Sequence, residues 1–430
     1  MLDCSLHRCP NPSTAFASDV AAHHGLRSHW HRLALSIAWA IAWSATTAVT
    51  MEAVAVENVT IDRDGAVVTV QGKVIAEDRS GNVILQDRQG KIWPLASEVI
   101  QSRSRDNVPF TLMDSTELEK TILEELPGFS IHKTKHFLIC YNTSRAYAQW
   151  CGGLFERLFR AYNNFWKRRG LEVSESEMLL VALIFKDKQS YRRYAVHELG
   201  PAVDSVDGYY NTITNRIAMY DLTAASHGFE RSIQKPAEIN ELLSQPMAGQ
   251  LVATVIHEAT HQLSFNCNVQ QRFADIDVWL NEGLAMYFET PDLRSKKGWR
   301  GMGDINTERL ARFRNYLKRR PADSLYSLIA NGDRMQGRPE DRRFKHQETM
   351  LDAYSEAWGL TYYLLTYEQK TFVEYLKFLG EKKPGIKESS ERKIEDFEKF
   401  FGDLEEVNRQ FVRRMQKEIK RNATKLGGQR

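Results

Sequence analysis

HEATHQLSFN (257–266) followed by WLNEGLAMYFE (279–289) is the stretch on which the reading of this chain turns. In a helix, side chains four positions apart share a face, so His257 and His261 can hold one metal ion between them. Glu258 lies one position on from His257, where it reaches a water beside the metal rather than the metal itself. Thr254, Val255, Ile256 and Leu263 give the same helix an apolar face, and no charge or proline interrupts 247–256. Ala259 and Thr260 are uncharged, as a helix buried beside an active site requires. A tetrahedral catalytic zinc site needs a third protein ligand and one open position for water. The second segment reads as another amphipathic helix in which Glu282 is polar within an apolar setting. The loop NCNVQQRFADID lets the chain turn back between them. Glu282 is therefore the expected third ligand. Asp275, Asp277, Glu289 and His346 come next, without comparable surroundings. A surface His/Glu/His triplet and a helix-capping Glu are the bland alternatives, and the presence of both halves weighs against them.

Upstream of this stretch the pattern alternates. HFLICYN (136–142) reads as a strand and 146–169 as a long amphipathic helix. The continuous apolar run MLLVALIF (178–185) suits a buried central strand. Residues 187–197 read as a helix, and Gly208–Asn211 with Arg216–Tyr220 flank a Thr/Asn turn as a hairpin. After residue 245 the pattern is almost wholly helical. A mixed sheet followed by helices predicts an α+β domain over 128–425. The charged stretch 381–393 reads as a solvated loop, and the basic VRRMQKEIKRNATK as an exposed helix that frays.

Residues 58–100 alternate apolar and polar positions around Gly-containing turns, so 56–102 is expected to be a small all-β unit, barrel-like or a curled sheet. It carries no His/Cys cluster and no catalytic pair, which leaves it an accessory or docking role. Residues 103–127 read as a linker with a short helix.

The 430 residues include 58 Lys+Arg and 55 Asp+Glu, and 42% are hydrophobic. That balance excludes a disordered chain or a disulfide scaffold, and a net charge of +3 gives no reason to expect nucleic acid as a partner. Residues 33–51 carry no charge, follow Arg27 and Arg32, and precede Ala53-Val54-Ala55, a small-x-small pattern. Residues 1–55 are therefore expected to be a cleaved signal peptide or an N-terminal membrane anchor. In both cases the rest is exported: secreted, periplasmic, or anchored facing outward. Cys4 and Cys9 fall in this leader, and Cys140, Cys151 and Cys267 are expected as buried free thiols.

HExxH followed by W-x-x-E-G-x-A resembles the gluzincins, within the peptidase MA-like metallopeptidases. The longer run HEATHQLSFN…R…WLNEGLAMYFETPD is similar to an uncharacterised exported bacterial domain family in that group. The resemblance covers roughly 128–420 and leaves the β unit outside. It implies a zincin-like metallopeptidase domain with zinc on His257, His261 and Glu282, and Glu258 as the catalytic carboxylate. It also implies an edge strand running past the active-site helix, for which Gly208-Tyr209-Tyr210 and Arg216–Tyr220 are the candidates. The group often carries a Tyr on a later helix, here Tyr354, either an oxyanion donor or a packing residue, with Tyr362 and Tyr363 on the same helix. The implied activity is zinc-dependent hydrolysis of a protein or peptide substrate. A catalytically silent zinc-fold binding protein of the cell envelope and a zinc amidase acting on a non-peptide substrate are the rival readings.

Overall fold

The computed structural model describes residues 55–63, 65–223, 235–243, 248–290, 302–330, 343 and 347–427. The expected leader, apart from residue 55, and His346 lie outside the described residues. Among those described, no helix is long and apolar enough to cross a membrane.

Five antiparallel strands come first: β1 (Ala55–Arg63), β2 (Ala66–Glu77), β3 (Val83–Asp87), β4 (Ile92–Leu95) and β5 (Ile100–Pro109). Their order is β4-β3-β2-β1-β5, with β4 and β5 outermost. The alternation places Val59, Ile61, Val70, Val83, Leu85 and Leu95 on one side, where they form a core of their own. β5 runs on to Pro109, inside the stretch expected as a linker. Helix α1 (Ser115–Glu125) follows, with the Asp114 carboxylate accepting from the Thr116 and Glu117 amides at its N-terminus.

The second sheet contains β6 (Ser130–Lys133), β7 (Phe137–Tyr141), β8 (Leu180–Phe185), β9 (Gly208–Asn211) and β10 (Arg216–Tyr220), in the order β6-β7-β8-β10-β9. β7, β8 and β10 are parallel, and antiparallel β6 and β9 form the two edges. β7 and β8 are buried at every position, as a central strand covered on both faces must be. Helix α2 (Arg145–Lys167) packs on β6 and β7, and α3 (Lys188–Leu199) on β8 and β10. The remainder is helical: α4 (Pro236–Leu243), α5 (Ala248–Asn266), α6 (Val278–Phe288), α7 (Thr307–Tyr316), α8 (Ser324–Ala330), α9 (Gln347–Tyr367), α10 (Gln369–Gly380), α11 (Ser390–Phe401), α12 (Leu404–Arg421) and α13 (Ala423–Gly427). The fold class is thus α+β.

The two sheets interlock at their turns. Buried Arg272 donates to the Thr212 carbonyl (3.0 Å), the Ile213 carbonyl (3.1 Å) and, across the junction, the Gly90 carbonyl (2.9 Å). The Ile92 amide adds a bond of 2.8 Å to the Ile213 carbonyl. The β3–β4 turn is thereby seated on the β9–β10 turn.

In the C-terminal region the expected solvated loop holds for 381–389, which is irregular and mostly exposed, but the last residues open α11, where Lys393 is 2% exposed between Asp275 (3.2 Å) and Asp277 (2.9 Å). The basic end is helical with its charged residues exposed, and α12 buries Leu404, Val407, Phe411 and Met415 on one face against α7 and α9. Cys140, Cys151 and Cys267 are buried free thiols, and burial pushes Cys140 and Cys267 up to about 12.

Among the described residues Lys393 is the cation paired with both buried carboxylates, so Lys393→Met keeps most of the side-chain volume and removes the compensation. The expected loss of stability is about 3–5 kcal/mol, the cost of breaking a buried ion pair from one side. A urea unfolding midpoint equal to the parent's would contradict this.

Candidate metal centre

Helix α5 is held in one rotational setting. Its apolar face buries Leu251, Val252, Val255, Ile256, Ala259 and Leu263. Fully buried Gln262 donates its amide to the carbonyls of Val181 (3.0 Å) and Asn215 (2.9 Å), tying the helix to β8 and the hairpin. Ser264 meets the Tyr162 hydroxyl of α2 at 2.8 Å. Helix α6 is set against α9 by Gly283. A Cβ there would fall 2.1 Å from Thr361 Oγ1 and 2.8 Å from the Ala357 carbonyl oxygen, so only glycine permits this approach, and Glu282 is positioned by it.

These constraints bring the three expected ligands together. His257 Nε2 and His261 Nε2 are 3.1 Å apart, and Glu282 reaches them at 3.3 Å and 3.9 Å. All three donor groups lie within 4.8 Å of one another. Two nitrogens each ~2.0–2.1 Å from a tetrahedral ion would be roughly 3.3 Å apart, so the spacing suits zinc.

The outer ring nitrogens give a second test of fit. His257 Nδ1 lies 2.7 Å from Glu289 Oε1, and His261 Nδ1 lies 3.0 Å from Asn281 Oδ1. Both partners accept, so each Nδ1 carries the hydrogen and each neutral ring turns an Nε2 lone pair inward. Two lone pairs and a carboxylate converging on one point call for a cation. Without one, a proton on His257 takes that place: burial works against it, but hydrogen bonds to Glu282 and Glu289 outweigh burial and hold the His257 pKa above its usual value. At His261 burial outweighs the opposing pull of Glu282 and the Asn281 hydrogen bond and lowers the pKa to about 4.

Glu289 thus lies behind His257, at its Nδ1, outside the cluster of the three donor groups. Its carboxylate is also reached by Asn306 Nδ2 (3.1 Å) and an Arg309 guanidinium nitrogen (3.3 Å). Burial alone would raise its pKa, and Arg309 with His257 keeps it below the usual range. Asp275 and Asp277, the other acidic alternatives, are taken up by Lys393.

Glu258 stands apart from the donors. Its Cγ would be 3.7 Å from a Cβ at Gly208, and its carboxylate accepts from the Tyr210 backbone N–H. The strand passing α5 is therefore β9. Of the two edge candidates, β9 is the edge, whereas β10 lies between β8 and β9. Tyr354 is half-buried on α9, which packs against α6. Tyr362 packs on Tyr287 and Trp358, and Tyr363 on Tyr367 and Phe411, so both serve the core.

Asn281, Asn306, Arg309 and the supporting role of Glu289 were not anticipated from the sequence. A signal existed for two of them: Asn281 precedes the ligand, and Glu289 lies two turns beyond Glu282 on the same face.

Residues 251–385 match a family described as a protein of unknown function (DUF1570). That span contains α5 and α6 entire from Leu251 onward, hence all three donors, Glu258 and the supporting Asn281 and Glu289. No curated protein matches the chain significantly.

Proposed function

We propose that the protein is an exported zinc-dependent hydrolase of the gluzincin type with a zincin-like catalytic domain, cleaving peptide bonds in a protein or peptide substrate. The observation that carries this reading is the convergence of His257, His261 and Glu282 with both Nδ1 atoms already engaged, while Glu258 is held separately beside the edge strand. Zinc held by these three residues supplies a Lewis acid that polarises the carbonyl and lowers the pKa of water toward ~7.

The chain's own groups do the rest. Among the described residues β9 pairs on one side only, with β10, and can align an extended peptide past Glu258. Glu258 accepts the proton of the attacking water and passes it to the leaving amine, so the same carboxylate serves as base and then acid. Glu289 and Asn281 fix the ring orientations and the tautomers. A binding protein has no use for a proton acceptor at that position, and the intact Glu258 therefore favours an enzyme over the silent alternative. The exported location expected from residues 33–51 belongs to the same proposal.

Tyr354 is proposed as the donor to the oxyanion. Tyr354→Phe is expected to keep its zinc and lower kcat by on the order of 10²-fold with KM little changed. Unchanged turnover in steady-state assays would return Tyr354 to a packing role. The proposal as a whole is tested by metal analysis and a generic protein substrate: about one zinc per chain is expected from the three-ligand set, with cleavage that a chelator abolishes. Metal-independent cleavage, or none by zinc-loaded protein, would overturn it.

A further inference from the structure

Arg272 lies in the loop between the two ligand helices, a buried cation for which the proposed reaction has no direct use. Among the described residues it pairs with carbonyl oxygens and not with a carboxylate: Thr212 at 3.0 Å, Ile213 at 3.1 Å and Gly90 at 2.9 Å. Burying a charge without an opposite charge is costly, and burial lowers the pKa of this group. An apolar side chain of similar volume commonly serves a core as well as a buried charge does. What a guanidinium adds here is a rigid fork of donors, and the fork joins the β3–β4 turn, the β9–β10 turn and the α5–α6 loop. The loop is held firmly beside it. Phe273 sits at φ +64°, a conformation that a bulky residue keeps only where its surroundings impose it, and its carbonyl accepts the Gly385 N–H at 2.8 Å.

The β9–β10 turn leads directly to Glu258. Tyr210, two residues before Thr212, gives its backbone N–H to the Glu258 carboxylate, and its hydroxyl donates to Asn215 Oδ1 at 2.7 Å in the same turn. Asn215 ties that turn to α5: its carbonyl accepts Gln262 Nε2 at 2.9 Å, and its side chain meets Asn266 at 2.8 Å. Arg272 ties it on the other side, to the N-terminal sheet, and the Ile92 N–H on the Ile213 carbonyl doubles that bond. With both ties in place, β9 cannot slide along α5 without breaking bonds at its turn.

We propose that Arg272 is a positioning residue for the proton acceptor: through the β9–β10 turn it fixes β9, and through the Tyr210 N–H it holds the Glu258 carboxylate in place. The N-terminal sheet then serves the site as a brace, gripping the turn through Gly90 and Ile92. The purpose of this arrangement rests on the hydrolase reading, but the tie itself does not.

The test is hydrogen exchange of the full chain, read at single amides by fragmentation mass spectrometry. Glu258→Ala sets the scale, since it removes the acceptor of the Tyr210 N–H. Arg272→Met should quicken exchange at Tyr210 by at least about tenfold, toward the rate in Glu258→Ala, while the amides of β7 and β8 keep the parent's rates. Arg272→Lys, which keeps the charge and part of the donor set, should recover some of the protection. Gly90→Ala attacks the tie from the sheet and leaves Arg272 intact. At φ +78°, with a Cβ 2.5 Å from Met178 Sδ, that turn must move, so the same pattern is expected even where Arg272→Met does not fold. In the zinc-loaded enzyme both variants should lower kcat by at least about tenfold, because a misplaced acceptor transfers protons poorly, with zinc affinity equal to the parent's. Parent-like exchange at Tyr210 in both variants would overturn the proposal, as would equal acceleration in every strand. So would an unchanged kcat, or a loss of zinc affinity that accounts for the fall in rate. Failure of the hydrolase reading shows differently: the zinc-loaded parent would leave a protein substrate intact while the exchange differences persist.

Discussion

Glu282→Ala is expected to cost the protein its zinc, while Glu289→Ala keeps the ion with an affinity lower by about 10–100-fold, the usual cost of removing a partner behind a ligand. The two carboxylates sit on one helix face, and both reach His257, at 3.3 Å and 2.7 Å, so a sequence-based ranking separates them poorly. The structure separates them by which nitrogen they meet. Glu282 faces Nε2, on the side where His261 also points, and its loss leaves two donors, too few for a tight site. Glu289 faces Nδ1, and its loss frees the ring to turn without deleting a donor. It also strands Arg309, which is packed against it, so Glu289→Gln is the better control: the amide oxygen can still accept from Nδ1. Competition titrations against a zinc chelator read all three variants on one scale. Equal affinity in Glu282→Ala and Glu289→Ala would refute the ligand assignment.

That contrast also marks how far the sequence could be read. His257, His261 and Glu282 were legible because helical spacing is a local rule and their apolar surroundings stood out. The β7, β8, α2 and α3 segments were legible for the same reason, as was the hairpin from its turn residues. The support of His257 by Glu289, and of Glu289 by Arg309 on α7, was not, because it depends on how three helices meet. β5 escaped because IQSRSRDNVP is exposed on nearly every residue and so shows no apolar alternation. Charge misled in the C-terminal region. Lys393 looks like any lysine in a polar run until Asp275 and Asp277 are seen against it. In α12 the signal was present, since Leu404, Val407, Phe411 and Met415 recur at helical spacing among the basic residues.

Glu258→Gln is expected to slow hydrolysis by at least about 10²–10⁴-fold, the share of the rate that a positioned proton acceptor contributes. The substitution preserves the shape of the side chain and its place beside Gly208, and the amide oxygen can still accept from the Tyr210 N–H. It removes only the basic carboxylate. The three donors are untouched, so zinc affinity and the unfolding midpoint should match the parent. His261→Ala provides the contrast, losing metal and turnover together. A variant that is folded, fully metallated and inactive isolates proton transfer from metal binding, which no ligand substitution can do.

The central claim is that Glu258 moves a proton for a zinc ion held by His257, His261 and Glu282. It is tested most directly by the rate at which zinc-loaded parent and zinc-loaded Glu258→Gln, matched for metal content, hydrolyse the same unfolded protein substrate. The account predicts chelator-sensitive cleavage by the parent and a rate at least about 10²-fold lower in the variant. Equal rates in the two proteins, or no cleavage by the fully metallated parent, would contradict it.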